Sequence, residues 1–295
     1  MTPAAPTRPP PILDGYAPQP GVADELYDAQ GRMRPVWSAF IDQLAALSPD
    51  QIETRLARGE QYLRDAGVYF RLYSGGPVQD REWPLSHVPV LISEQEWSVI
   101  CDGLTQRAEL LERVMADLYG PGQLVADGDL PAELVAGNPQ WLRPMVGVRP
   151  RSGYWLHHLA FEIGRSPDGS FLVLGDRAQA PSGSGFALEN RMATMRMFAD
   201  PFPRTHVHRL AGFFRAFREA METMAGGRRS AILTPGPNND TYYEHTYIAR
   251  YLGMTLLEGE DLTVQDGQVM VRTVRGLEPL GLLWRRIDGE FADPL

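Results

Sequence analysis

Residues 161–191, FEIGRSPDGSFLVLGDRAQAPSGSGFALENR, hold two carboxylates and a run of small residues at a spacing that suggests chemistry. Alternating and β-branched residues on either side of Pro167-Asp168-Gly169 predict a hairpin. Glu162 then falls near the end of one strand and Asp176 at the end of its partner. Paired strands would bring the two carboxylates to one edge, where a divalent metal ion could bind. The segment that follows, Pro181, Ser182, Gly183, Ser184 and Gly185, offers backbone N–H groups and hydroxyls without bulky side chains. Such a loop can approach a phosphate or a substrate carboxylate closely.

A second candidate lies at residues 235–245. Gly236 and Asp240 open a helix there, and Asn238, Asn239 and His245 surround its first turn. A helix start of this kind is an anion site, or it is simply capped by its own Asn and Asp side chains. Further on, Arg285 and Arg286 alternate across a strand, so one of them faces a pocket. Asp288 shares the face of Arg286 and can pair with it. His157 and His158 point to opposite faces of a strand and are read as structural. His206 and His208 precede a helix and have no evident partners for a metal. Cys101, the only cysteine, rules out an internal disulfide and a multi-cysteine zinc site, and reads as a small packed residue.

The elements that must position these groups follow from periodicity and punctuation. Helices are expected over residues 36–47 and from a capping box at Ser48 to about residue 66. A β-rich run covers residues 68–73 and is closed by Ser74-Gly75-Gly76-Pro77. A second capping box at Ser93 starts a helix that stops at Gly120-Pro121. Residues 154–163 read as a strand that returns over 170–174, followed by helices over about 187–198 and 206–224. A β-α-β arrangement comes next: a strand at 230–234, a helix at 241–252 capped by Asp240, and a strand at 255–257. An Asp266-Gly267 hairpin and a strand at 280–287 complete it. The expected fold is therefore mixed α+β. It has a Pro-rich lead-in at 1–24, a mainly helical region at 25–150, a hairpin–loop–helix segment at 151–227 and a β-α-β unit at 228–295.

Composition bounds the function. The chain has 295 residues, 43% of them hydrophobic, enough for a sizeable core, and carries a net charge of −9. An acidic chain is a poor partner for nucleic acid. No apolar run approaches a membrane span and no signal peptide is evident, so a cytoplasmic location is expected. All 28 basic residues are Arg. Any phosphate met by this chain must therefore be met by guanidinium or backbone groups.

The stretch at 161–191 resembles the signature of the circularly permuted ATP-grasp proteins of bacteria, which are similar to the synthetase domain of glutathionylspermidine synthetase. Three further stretches agree: Thr234-Pro235-Gly236-Pro237-Asn238 with Tyr243-Glu244-His245, then Ala249-Arg250-Tyr251-Leu252-Gly253, then Arg285-Arg286-Ile287-Asp288. The resemblance implies an ATP-dependent carboxylate–amine ligase that uses ATP and Mg²⁺ on small-molecule or peptide-like acids and amines. It places Glu162, Asp176 and Asp288 at metal, Arg177 and Arg286 at transferring phosphate, and the loop at 181–184 with Asn238, Asn239 and His245 at substrate. It also implies that the glycine-rich loop and lysines gripping ATP lie beyond Leu295. On that expectation the chain is an N-terminal portion, inactive alone, that docks with the remainder of an ATP-grasp domain, and a homo-oligomer is compatible with it. One departure stands out. Where the family carries Glu-Asp-Asn before the loop, this sequence has Gly175, Asp176 and Arg177, a pattern that also fits a catalytically silent binding or assembly module.

Overall fold

The computed structural model describes residues 11–72, 79–199 and 206–287. Two helices open it, α1 (Pro35–Ala45) and α2 (Pro49–Asp65). The Ser48 hydroxyl accepts from Gln51 N–H and the Gln51 side chain returns to Ser48 N–H, the reciprocal cap its spacing predicts. A two-stranded antiparallel sheet follows, β1 (Tyr69–Leu72) with β2 (Gln79–Glu82). The expected turn at 74–77 lies outside the described residues. Helix α3 (Glu94–Leu118) starts at the second capping box, on Ser93 and Glu96. Short helices α4 (Gln123–Ala126) and α5 (Ala132–Ala136) come after it.

The hairpin β3 (Ala160–Arg165) and β4 (Phe171–Arg177) is antiparallel, with a bulge where Glu162 faces Gly175 but Ile163 faces Val173. The expected strand at 154–163 is thus shortened at its start. Glu112 of α3 is the physical reason. Its carboxylate accepts the N–H groups of Trp155 and Leu156 at 2.8–3.0 Å, so those donors go to a helix side chain rather than to a neighbouring strand.

Helices α6 (Ser184–Met197) and α7 (Ala211–Ala225) lead to a five-stranded sheet. Its strands are β5 (Arg229–Leu233), β6 (Thr255–Leu257), β7 (Leu262–Gln265), β8 (Gln268–Thr273) and β9 (Gly276–Arg285). They lie in the order β6-β5-β9-β8-β7. Helix α8 (Tyr242–Leu252) makes the crossover between the parallel pair β5 and β6. Asp240 does not cap it, contrary to expectation. Thr241 sits at the cap position, and the Asn239 side chain accepts both the N–H and the hydroxyl of Thr241, at 3.0 and 2.7 Å.

Apolar side chains gather where these layers meet. Phe214 of α7, Ile232 of β5 and Ile248 of α8 form one cluster. Trp37 and Phe40 of α1 form another with Met197 and Phe198, at the end of α6. Helix α6 also lies against α2, where Gly59 lets the buried Met197 side chain approach so closely that a Cβ at 59 would stand 2.4 Å from its sulfur. Among the described residues no helix is long and apolar enough to cross a membrane.

Candidate functional site

Residues 178–183 run from the end of β4 to the start of α6 along an unusual backbone path. Ala180 has φ +37° and Gly183, at the cap position of α6, has φ +119°. A left-handed alanine costs energy and persists only when its surroundings fix it. Here the fixing groups are Glu244, from the first turn of α8, and Arg286, just past the end of β9. Both are buried. The Glu244 carboxylate accepts Gly183 N–H at 2.7 Å and Gly185 N–H at 2.8 Å, which places a negative group on the exposed donors of the α6 N-terminus. Gly185 must be small there, because a Cβ would lie 2.9 Å from Glu244 Cγ.

Arg286 grips the same loop from the other side. Its Nη1 donates to the Pro181 carbonyl at 2.8 Å and its Nη2 to the Ser182 hydroxyl at 2.7 Å. Nη2 lies 3.6 Å from Glu244 Oε2. The guanidinium also stacks over the Trp284 ring at 5.0 Å. Burial lowers the Arg286 pKa from its usual value, and the Glu244 charge works against that.

A cavity of about 200 Å³ opens beside this clamp. Its walls include Gln179, Ser182, Asn239, Thr241, His245 and Arg286, and among the described residues Arg286 is the one charged side chain lining it. His245 is held at both ring nitrogens, by the Thr234 hydroxyl at 2.9 Å and the Thr241 hydroxyl at 3.1 Å. Burial, and then the neighbouring Arg286 charge, push its pKa down to about 3, so it is a neutral imidazole at physiological pH. His158 behaves similarly. It packs against Phe217 and Trp284, its pKa falls to about 4 for the same two reasons, and its buried Nδ1 has no hydrogen-bond partner among the described residues.

The structure therefore brings Ser182, Asn239, His245 and Arg286 together around one cavity, with Pro181, Gly183 and Ser184 in the loop that bounds it. Asn238 is exposed and does not line it. Asp288 lies outside the described residues. The hairpin carboxylates do not converge. Asp176 faces α3, where Arg107 binds both its oxygens, Nε at 2.6 Å and Nη2 at 2.7 Å, and holds its pKa below the usual carboxylate range. Glu162 lies on the opposite face and pairs with Arg177, Nε to Oε1 at 2.7 Å. Among the described residues no three His, Cys, Asp or Glu side chains group around a metal-sized space. A guanidinium offers no lone pair to a metal, so the hairpin residues do not fit Mg²⁺.

Two residues without a role in the sequence reading prove central to these contacts, Glu244 and Arg107. Glu244 carried a signal. Residues 244, 248 and 252 form one row of α8, and all three are buried. An acid in such an apolar row needs partners supplied by the fold. Arg107 carried none, because its partner is 69 residues away in sequence.

Comparison with known proteins agrees with this architecture. A solved glutathione synthetase-like effector from Globodera pallida superposes with a TM-score of 0.51 at 13% identity, over 82% of this chain and 59% of that one. The fold is that of a glutathione synthetase-like, ATP-grasp type of protein. An uncharacterised protein of Synechocystis sp. is 34% identical over 275 residues, 92% of this chain and 57% of its own length. One of Mycobacterium tuberculosis is 35% identical over 299 residues, 99% of this chain and 53% of its own. The chain spans about half the length of these relatives. The family model for circularly permuted ATP-grasp type 2 matches residues 89–295, and the chain belongs to that family.

Proposed function

We propose that this chain forms the acid-binding wall of an ATP-dependent carboxylate–amine ligase. The observation that carries the reading is the strained loop at 180–183, clamped by two buried opposite charges beside a cavity whose one charged lining side chain, among the described residues, is a cation. A fixed cation, hydroxyls and a neutral imidazole suit a carboxylate. The cavity is smaller than the roughly 300 Å³ at which sites for whole small molecules begin. It suits one end of an acid, not a nucleotide.

In the proposed reaction a carboxylate oxygen takes the terminal phosphoryl group of ATP, and ADP leaves. An amine then attacks the acyl carbon, phosphate departs with the C–O bond pair, and the nitrogen loses its proton to give an amide. Arg286, Ser182 and Asn239 would hold the acid in place, and His245, neutral at working pH, would offer a hydrogen bond without adding charge. The whole enzyme, its amine and its ATP-gripping groups extend the proposal to polypeptide of the relatives' length.

The test is phosphate release from ATP by such a full-length protein, with candidate acids and amines and with hydroxylamine as a trap for the acyl phosphate. Release should require the acid, and Ser182→Ala should raise KM for the acid more than it lowers kcat. Absence of nucleotide binding at millimolar ATP would overturn the reading. It would favour a silent binding module instead, as the arginine-paired carboxylates of the hairpin would suit.

A further inference from the structure

Three positions of the hairpin share one face. Glu162 stands opposite Gly175, and Arg177 stands opposite Ala160, two residues before Glu162. Because the bulge sets Val173 and not Leu174 opposite Ile163, Asp176 turns away to the α3 side. A Cβ at position 175 would lie 3.2 Å from Glu162 Oε2. Positions 162, 175 and 177 therefore converge, and they hold one carboxylate, one bare backbone and one guanidinium. Nε and Nη2 of Arg177 both point at a single oxygen of Glu162. The pair is open to solvent, with the arginine side chain 65% and the glutamate 51% exposed. Exposed pairs of this kind are weak and exchange partners readily.

We propose that Arg177 is a built-in cation at this face: its guanidinium stands where a divalent ion would sit between Glu162 and position 175, and phosphate oxygens meet Arg177 directly, without metal. The chemistry favours it. A planar guanidinium binds phosphate oxygens in pairs, and a phosphate can take it from a solvent-exposed carboxylate. The choice of phosphate as the ligand rests on the ligase reading, whereas the exclusion of metal rests on geometry alone.

Two measurements on the chain test this. In Mn²⁺ titrations followed by electron paramagnetic resonance, the wild type should show no site that depends on Glu162. The double variant Gly175→Glu, Arg177→Asn should gain a Mn²⁺ site, and adding Glu162→Gln should remove it. Calorimetric titration with tripolyphosphate should give the same affinity in Mg²⁺ and in excess chelator, and Arg177→Gln should weaken it about tenfold with an unchanged circular dichroism spectrum. Wild-type Mn²⁺ binding that Glu162→Gln abolishes would overturn the proposal. So would tripolyphosphate binding that needs Mg²⁺ or ignores Arg177→Gln, or a folded double variant that takes up no Mn²⁺. Should the double variant fail to fold, the single variants still decide. A ligase assay that fails leaves the Mn²⁺ outcome untouched, so the two readings fail separately.

Discussion

Glu244 is 0% exposed, and Arg286 beside it is 6% exposed. Charges taken out of water are tolerated only when their partners replace the lost solvation. Glu244 has two backbone N–H donors and a guanidinium, and Arg286 has a carbonyl, a hydroxyl and Glu244. Removing one member leaves the other buried and uncompensated. Glu244→Ala should therefore destabilise the fold by about 3–5 kcal/mol in urea denaturation, and Glu244→Gln, which keeps the shape, by less. A cost near zero would mean that water replaces the clamp. His245 gives a pH dependence. Its pKa is about 3 in the fold against about 6.5 in the unfolded chain, so as pH falls the unfolded state takes the proton first. The stability from the neutral ring is complete above pH 6.5 and is lost as pH falls toward 3. At pH 5 the loss from this one group is about 2 kcal/mol. Urea midpoints measured from pH 7 to pH 5 should fall, and His245→Asn should remove about half of that slope, because His158, lowered to about 4, carries a similar share.

Elements were legible where the signal was local. The capping boxes at Ser48 and Ser93 set the starts of α2 and α3, and Gly226 and Gly253 end α7 and α8 in left-handed caps, because each depends on residues a turn away. Residues 154–159 carry a β-like pattern yet are not strand, because it is overridden by Glu112, some 43 residues away. The same division holds for the site. Ser182, His245 and Arg286 were readable by type, but the clamp that unites them joins segments 59–105 residues apart, and no spacing rule reports it. The bulge in β4 shifts side chains between faces, which is why Glu162 and Asp176 separate when simple alternation put them together. Close packing between elements is equally silent in sequence. Gly281 in β9 lies under the end of α7, where an added Cβ would meet the Ala225 carbonyl oxygen at 2.2 Å and Arg228 Cβ at 2.7 Å. Backbone cannot swing aside as a side chain does. Gly281→Ala should cost about 1–3 kcal/mol by overpacking, read as a lowered thermal midpoint. Gly103→Ala, with open space around the added carbon, is its control.

At the scale of the molecule, stability is unevenly spread. Among the described residues the apolar clusters lie in the α1–α2–α6 region and around the five-stranded sheet, and no residue of the β3–β4 hairpin belongs to any of them. Between α3 and the hairpin lies an open groove of about 1030 Å³ instead, with Val99 69% and Leu110 58% exposed along it. Polar struts join α3 to the hairpin, Arg107 to Asp176 and Glu96 to Arg165, and Arg165 also binds Glu25 of the N-terminal segment. A two-stranded hairpin is marginal by itself, and the partly exposed Arg107–Asp176 pair adds less than about 1 kcal/mol. The firmer tie is Arg165 at the turn end, whose side chain is 5% exposed. The hairpin is therefore the place where the molecule should open first. In hydrogen exchange followed by mass spectrometry, residues 160–177 should exchange faster than β5, whose Ala231 and Ile232 are fully buried between α7, α8 and neighbouring strands. Arg107→Ala should speed the hairpin a few-fold and leave β5 unchanged, and raised salt should do the same in the wild type by screening the strut. Equal protection of the two segments, or speeding of both together in the variant, would mean that the hairpin folds as one unit with the sheet. In that case the groove would be an internal feature of a single cooperative body, and its exposed leucine and valine would have to be explained some other way.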